Sequence, residues 1–194
     1  MCIRDRFYTI LDDVFALRDM DDAADGGKVK ERYNGSGATV RGFNVEGRAA
    51  FTRWFELQAG VTLQQSRYKE PEFWSEDAEV PPVRRMFRTP DAYGYFTASF
   101  KPVRNFTADL SGTCTGSMLV QHMAGSGVAQ DVAVSTPSFF DMNIRLSYDV
   151  RIYKEITMQL YGGVQNLFNA YQKDFDKGVD RDSGYIYGPS LPRS

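Results

Sequence analysis

The sequence predicts an all-β chain of antiparallel, up-and-down strands laid out like a transmembrane barrel. Three observations carry that prediction. Apolar and polar residues alternate with a period of two over stretches of about ten residues. Short turns and long polar connections follow one another along the chain, and aromatic residues gather at the ends of the alternating stretches.

Alternation is clearest where Phe140, Met142, Ile144, Leu146, Tyr148 and Val150 interleave with Asp141, Asn143, Arg145, Ser147 and Asp149. Successive side chains of a strand point to opposite faces, so this stretch has one oily and one wet side. After a break at Arg151 to Lys154 the pattern restarts, with Ile156, Met158, Leu160 and Val164 set against Glu155, Thr157, Gln159 and Tyr161. The two stretches make a hairpin with a tight turn.

Upstream, Phe55, Leu57, Ala59, Val61 and Leu63 alternate with Glu56, Gln58, Thr62 and Gln64, following a strand near Thr39 to Phe51. Another pair runs from about Ala92 to Phe100 and from Phe106 to Met118, turning at Lys101 to Arg104. The first strand, around Phe7 to Leu17, is the least regular.

Short turns fall near Thr52, Pro102 and Arg151, whereas long polar stretches cover Asp19 to Gly37, Lys69 to Thr89, Gln121 to Pro137 and the tail after Asn166. Every second connection is therefore long, the layout of an outer-membrane-type barrel. Phe51, Trp54, Phe55, Phe100, Phe106, Tyr148 and Tyr153 flank the short turns, and Tyr68, Tyr93, Tyr95, Phe139, Phe140 and Tyr171 sit at the opposite ends. These are read as two interfacial girdles. Packing of the same rings in a soluble core is the competing reading, and the charged residues on the alternate face count against it.

Composition agrees. Aromatics at 14% and 17 glycines favour strands and turns over helices. A net charge of -2 gives no basic face for nucleic acid. No apolar run approaches the roughly 20 residues of a membrane-spanning helix. The opening MCIRDR lacks the apolar region of a signal peptide, and Met1 to Arg6 back-translate to something like a sequencing-adaptor end. They are taken as a non-native scar and set aside. Cys114 is then the only cysteine, and no intrachain disulfide is possible.

Few residues suggest chemistry. Asp174, Asp176, Asp180 and Asp182 invite a calcium reading, but Gly178 and Gly184 fall out of register with a helix-flanked calcium loop. Asp19, Asp21, Asp22 and Asp25 form a second acidic group, read as a solvated loop. His122, the one histidine, is read as an ordinary surface residue, because a metal site needs more ligands at known spacing. Phe73 and Trp74, followed by Arg84, Arg85 and Arg88, place aromatics and guanidinium groups in one loop. Such a rim suits an anionic or catechol-bearing iron chelate, although surface loops at membranes carry such residues anyway.

The segment GVQNLFNAYQ, Gly163 to Gln172, resembles the V-x-N-L-F-(N/D)-x-x-Y stretch near the C-terminus of TonB-dependent outer-membrane receptors. RGFNVEGRAAFTRWFELQAGVTLQQSRY resembles the strand, short turn and strand of the same family, and FYTILDDVFALRD is similar to the strands just before. The resemblance implies part of a barrel of about 22 strands around an N-terminal plug. This sequence shows no energy-coupling box, no plug and no closing strand. Residues 7–194 are therefore expected to be about seven strands from the C-terminal portion of that barrel, the last strand missing.

What the resemblance implies is active uptake across the Gram-negative outer membrane of a scarce, large nutrient: a ferric siderophore, with cobalamin or a glycan as alternatives. The implied partners are outer-membrane lipid, the receptor's own plug, the TonB complex acting through it and a siderophore-like ligand. No catalysis, resident cofactor or metal is implied beyond a weak calcium possibility in an extracellular loop. Trp74, Arg84, Arg85 and Arg88 are the candidate ligand contacts. Asp141, Asn143, Arg145, Glu155 and Gln159 are the candidate plug-facing positions. A small outer-membrane barrel acting as enzyme or adhesin, and a soluble β-sheet binding module, are the other readings.

Overall fold

The computed structural model describes residues 1–20, 29–75, 77, 79–189 and 191–194. In chain order its strands are β1 (Cys2–Leu11), β2 (Phe15–Met20), β3 (Val29–Asn34), β4 (Ala38–Ala50), β5 (Phe55–Glu72) and β6 (Val83–Arg85). They continue with β7 (Ala92–Val103), β8 (Phe106–Thr115), β9 (Leu119–His122), β10 (Val132–Ser135), β11 (Phe139–Tyr153) and β12 (Ile156–Val164). No helix occurs among the described residues.

Seven long strands form one antiparallel meander in the order β1-β4-β5-β7-β8-β11-β12, and β6 adds a short piece beside β5. The all-β, up-and-down arc is the one the alternation predicts. Connections at one end are brief. Lys154 and Glu155 join the paired residues Tyr153 and Ile156, with Lys154 in the left-handed region at φ 34°. At the other end two connections fold into the hairpins β2-β3 and β9-β10.

Register assigns each residue to a face. The row Val45, Val61, Gly94, Cys114 and Phe140 runs across five strands on one side. Leu57, Ala98, Leu110 and Ile144 lie on the same side one turn of the pleat at a time. The opposite side carries cross-strand polar pairs: Thr62 donates to Asn44 at 3.0 Å, Gln58 to Glu46 at 3.0 Å, Ser99 to Asp109 at 2.6 Å and Gln159 to Asp149 at 2.9 Å. Each such pair contributes about 0.2–1 kcal/mol, so the backbone ladder, not the side chains, holds the arc.

Little is buried between layers, because the arc is a single layer. Leu63, Leu146, Met158 and Leu160 all stand more than 40% exposed on the apolar face. So much contiguous apolar surface is more than a soluble monomer ordinarily exposes, and it matches the outward band of a membrane barrel. At the short-turn end Phe55 stacks on Phe100 at 4.7 Å, with Phe51 and Trp54 beside them, as the lower girdle requires.

The opposite girdle differs from the sequence expectation. Tyr68, Tyr93, Tyr95 and Phe139 occupy the polar-face parity, opposite to Leu63, Gly94 and Phe140. The rings on the apolar side there are Phe43, Phe96, Phe140 and Phe168, and Phe140 lies between Phe96 at 6.4 Å and Phe168 at 5.7 Å. Aromatic content near a strand end does not reveal the face; parity does.

Other boundaries are also corrected. The expected strand from Phe7 to Leu17 is two strands, broken where Asp13 takes φ 53°. Pairing extends back to Cys2, opposite Gly47. Lys69 to Glu72 belong to β5, and the stretches read as polar loops contain β3, β6, β10 and the ends of β2 and β9. Strands of such a barrel project past the bilayer, where both faces are wet and the apolar alternation that marks a strand is no longer needed. Asp19, Asp21, Asp22 and Asp25 fall outside the residues whose side chains are described.

Two glycines are required by close packing. A Cβ on Gly60 would stand 2.6 Å from the ring of Tyr95, and one on Gly112 would strike the ring of Phe96. Gly60→Val is expected to expel Tyr95, break its contact with Gln58 and destabilise the sheet by about 1–3 kcal/mol. Urea unfolding of the intact barrel in detergent, followed by its heat-modifiable gel mobility, would check this.

Candidate functional site

Apart from strand residues such as Thr62, Ala98 and Ser147, the buried side chains of the described residues gather where the long connections pack together. Val120 and Gln172 are almost fully buried there, with His122, Thr136, Asn166 and Tyr185 nearby in the same tier. The tier is tied by backbone as well as side chains. Phe87 forms a parallel bridge to Leu119, Arg88 N donates to Leu119 O at 2.7 Å, and Ser126 N donates to Asp180 O at 2.9 Å.

His122 is not the surface residue expected from its polar surroundings. It is 6% exposed, stacks flat on Tyr185 at 3.7 Å and 8°, and its Nε2 lies 3.0 and 3.1 Å from the two oxygens of Asp176. β9 places it there: Val120 and His122 share one face of a short strand, and both are buried. The signal was present in the alternation of Leu119 to His122, too short to stand out within a long connection.

The aspartates of the last connection are engaged in holding its shape. Tyr185 and Tyr187 hydroxyls donate to the two oxygens of Asp174 at 3.0 and 2.6 Å. Asp182 accepts from Met123 N at 2.8 Å and from Gly184 N at 2.7 Å. Among the described residues no three acidic, histidine or cysteine side chains are grouped to hold a metal ion.

These bonds set the local electrostatics. Burial opposes the charge of Asp174, but the hydroxyls of Tyr187 and Tyr185 outweigh it and hold the carboxyl below its ordinary pKa. The bond to His122 lowers Asp176, with burial opposing and the Asp182 amide adding to the effect. Burial, then the bond to Asp174, pushes Tyr185 up to about 12, and the same causes raise Tyr187.

The candidate ligand contacts do not form one cluster of free groups. Trp74 packs edge-on against Phe87 at 5.3 Å with its indole nitrogen buried and unpartnered. Arg85 donates to Ser117 O at 2.9 Å and pairs with Asp91 at 2.9 Å. Arg88, at φ 56°, donates to Ile186 O at 2.8 Å and to Gly184 O, clamping the last connection. Arg84 stands exposed with no hydrogen bond or ion pair to another described residue.

Of the polar-face candidates, Asp141, Asn143 and Arg145 lie in one row along β11. Arg145 sits over the Tyr161 ring at 4.6 Å, and Asp141 keeps one buried oxygen without a partner. Gln159 is on the neighbouring strand, while Glu155 lies in the two-residue turn and not on a strand face.

Asn143 also reaches the segment that carries the sequence resemblance. Its Oδ1 accepts from Asn166 N at 2.9 Å. Asn166 and Asn169 both adopt left-handed φ, 51° and 54°, which asparagine tolerates better than most residues. The Asn166 side chain donates to Ala170 O and Leu191 O and accepts from Ala170 N at 2.8 Å. The N-L-F-N stretch is thus a capped rim turn that folds the chain back over the polar face.

No protein-family model matches the chain, and no curated protein matches it in sequence. Solved structures do match. The ferric-catecholate import receptor Fiu of Escherichia coli K12 covers 99% of this chain at TM-score 0.64 and 18% identity, with 24% of its own length involved. The ferric enterobactin receptor PfeA of Pseudomonas aeruginosa covers 99% at TM-score 0.64 and 15% identity, over 27% of its length. The outer-membrane transporter YddB of E. coli covers 99% at TM-score 0.61 and 12% identity, over 29% of its length. The chain therefore spans about a quarter of these proteins. It has the fold of a segment of an outer-membrane receptor barrel, and the neighbours are receptors and a transporter, not enzymes.

The pH range of the loop clasp follows from these shifts. Asp174 and Asp176 are lowered from 3.8, so their contribution is present above about pH 4 and lost as pH falls through their lowered values. Tyr185 is raised from 10.0 to about 12, so its contribution is present below pH 10 and lost as pH rises toward 12. Tyr187→Phe is expected to speed tryptic cleavage after the exposed Lys177 and Arg181 at neutral pH, with Tyr148→Phe at the far end without effect. Mass mapping of the early fragments reads this directly.

Proposed function

We propose that the chain is the C-terminal part of the barrel of a TonB-dependent receptor in a Gram-negative outer membrane, and that the whole protein imports a ferric siderophore. The observation that carries this is the extent of the likeness. Nearly the entire chain follows one segment of receptor barrels, two of which are named for ferric-catecholate or ferric enterobactin.

The two faces of the sheet give the reading its physical sense. The apolar face meets lipid, and the polar face lines a wet lumen. There Asp141, Asn143, Arg145 and Gln159 meet a plug domain, through which the TonB complex supplies energy. The plug has most to gain from Asp141, whose unpartnered oxygen accepts a donor at little rearrangement.

Ligand contact falls to the tier of long connections, which faces outside. Arg84 is the residue there with a charge to spend on an anionic chelate, since Arg85 and Arg88 are engaged within the tier. Trp74 and Phe87 form the apolar wall beside them. The arrangement is a conduit with a recognition rim and performs no bond-breaking chemistry.

Deletion of the complete gene is expected to abolish growth on a ferric catecholate under iron limitation, with ferrous iron restoring growth. Loss of growth on cobalamin or a glycan instead would move the substrate class, and no growth defect on any would overturn the proposal. Within the intact receptor, Arg84→Ala is expected to weaken binding of a ferric catecholate about tenfold, the scale of one lost charge-assisted contact. Fluorescence quenching on titration would measure it.

A further inference from the structure

The polar face of β8 and β11 carries a carboxylate with no countercharge. Asp141 stands directly opposite Thr113, and Phe139, one pleat repeat away on the same face, stands opposite Thr115. One oxygen of Asp141 is closed off from solvent and accepts no hydrogen bond. The other has a single distant donor, Asn143 Nδ2 at 3.5 Å. A carboxylate drawn out of water without a cation is strongly unfavourable, so this position calls for a positive group that the described residues do not supply.

The basic side chains on the same face and in the last connection are occupied elsewhere. Arg145, in the same row of β11, lies over the Tyr161 ring at 4.6 Å, and Lys173 lies over Tyr171 at 5.6 Å. Arg88 donates to Ile186 O and Gly184 O, Arg181 to Gly178 O at 3.1 Å and Arg193 to Leu167 O at 3.4 Å.

The last connection completes a pocket at this carboxylate. Tyr187 comes down beside Phe139, with the two rings 5.9 Å apart and inclined at 46°. Gly188 permits the approach, because a Cβ there would stand 2.5 Å from the Phe139 ring. Tyr187 is pinned by its amide, which donates to Gln172 Oε1 at 2.9 Å, and by its hydroxyl, which donates to Asp174 Oδ1 at 2.6 Å. The cavity of about 260 Å³ is lined by Thr113, Thr115, Phe139, Asp141 and Tyr187. Sites for whole drug-sized molecules run from roughly 300 to 1,000 Å³, so this one suits a single small group.

The lining has one chemistry in common. Asp141 is an anion, neither threonine hydroxyl has a protein partner among the described residues, and the two rings belong to the kind whose faces attract cations. The bond from Tyr187 to Asp174, a carboxyl held below its ordinary pKa, polarises that ring further toward a cation. A bare metal ion needs more oxygen ligands than one carboxylate, and no such group is present among the described residues. An anionic chelate is repelled here.

We propose that this pocket binds an organic ammonium or guanidinium cation, its N–H donors directed to Asp141 and the threonine hydroxyls and its carbon stem against Phe139 and Tyr187. The cation comes from a basic side chain of the plug or from a free amine in the lumen. The proposal rests on the reading of the polar face as lumenal, and it names the group that Asp141 takes.

The test uses the receptor made from its complete gene and purified from outer membranes in detergent. It is titrated calorimetrically with butylammonium and methylguanidinium chlorides, with potassium chloride as the control. The urea midpoint of the wild type and of Asp141→Asn is measured without added cation. Saturable organic-cation binding that falls at least about tenfold in Asp141→Asn and several-fold in Phe139→Leu, with potassium inert, supports a free amine as the occupant. Absence of such binding together with a lowered urea midpoint in Asp141→Asn supports a plug side chain already in place. The sign decides, since removing a carboxylate that has no cation leaves the midpoint unchanged or raises it.

Absence of binding with an unchanged or raised midpoint would overturn the pocket. So would potassium binding as tightly as the organic cations, or organic-cation binding undiminished in Asp141→Asn. Heat-modifiable mobility of both variants separates lost binding from lost folding. If the wild-type receptor is absent from the outer-membrane fraction, the barrel reading fails instead, and the lumenal placement of the pocket fails with it.

Discussion

A backbone amide inside a bilayer has no water to turn to, so a strand crosses only where both of its edges find partners. Everything in this chain is arranged around that constraint. The inner strands of the meander are paired on both sides over most of the apolar band, and from β4 through β11 the register shifts only between Phe100 and Val103, beside a short turn. β1 and β12 each have one neighbour in the sheet, which leaves a row of backbone groups on either flank. The side chains then only have to suit two solvents, oil on one face and water on the other.

That division explains why the buried core sits where it does. In the proposed barrel the spanning part needs no interior of its own, since lipid takes up one face. Packing becomes necessary only above the membrane, where water surrounds the long connections and an unpacked loop would lose its shape. There the chain uses a stacked histidine and tyrosine, a glutamine whose amide serves Tyr185 and Tyr187 backbone groups, and arginine clamps across sequence-distant loops. Charged residues in this tier are mostly occupied with backbone groups and tyrosine hydroxyls, which is why a rim of aspartates and arginines does not translate into a metal site or a broad ligand patch.

Much of the arc was legible because its rule is local. Period two fixes the strand and its faces from neighbouring residues alone, so Phe140 to Val150 and Phe55 to Leu63 could be assigned without any partner. The outer tier was not legible in the same way. The burial of His122 depends on Asp176 and Tyr185, more than fifty residues further on, and nothing in the residues beside it announces them. The arginines illustrate the same limit: Arg84, Arg85 and Arg88 look alike in sequence, yet one is free and two are bound to loops elsewhere. Parity also decided the upper aromatics, since Tyr93 and Tyr95 differ from Phe96 by face, not by content.

The rim turn at Asn166 has a mechanical meaning. By the parity of β12 this residue should face lipid, following Leu160, Gly162 and Val164, but its left-handed backbone swings it toward Asn143 on the wet side. A one-residue slip of β12 along β11 would carry that turn to the wrong parity and break the bond from Asn166 N to Asn143. A single asparagine therefore works as an index pin. It locks the last hairpin to one register and makes the placement of the final thirty residues a readout of strand alignment below.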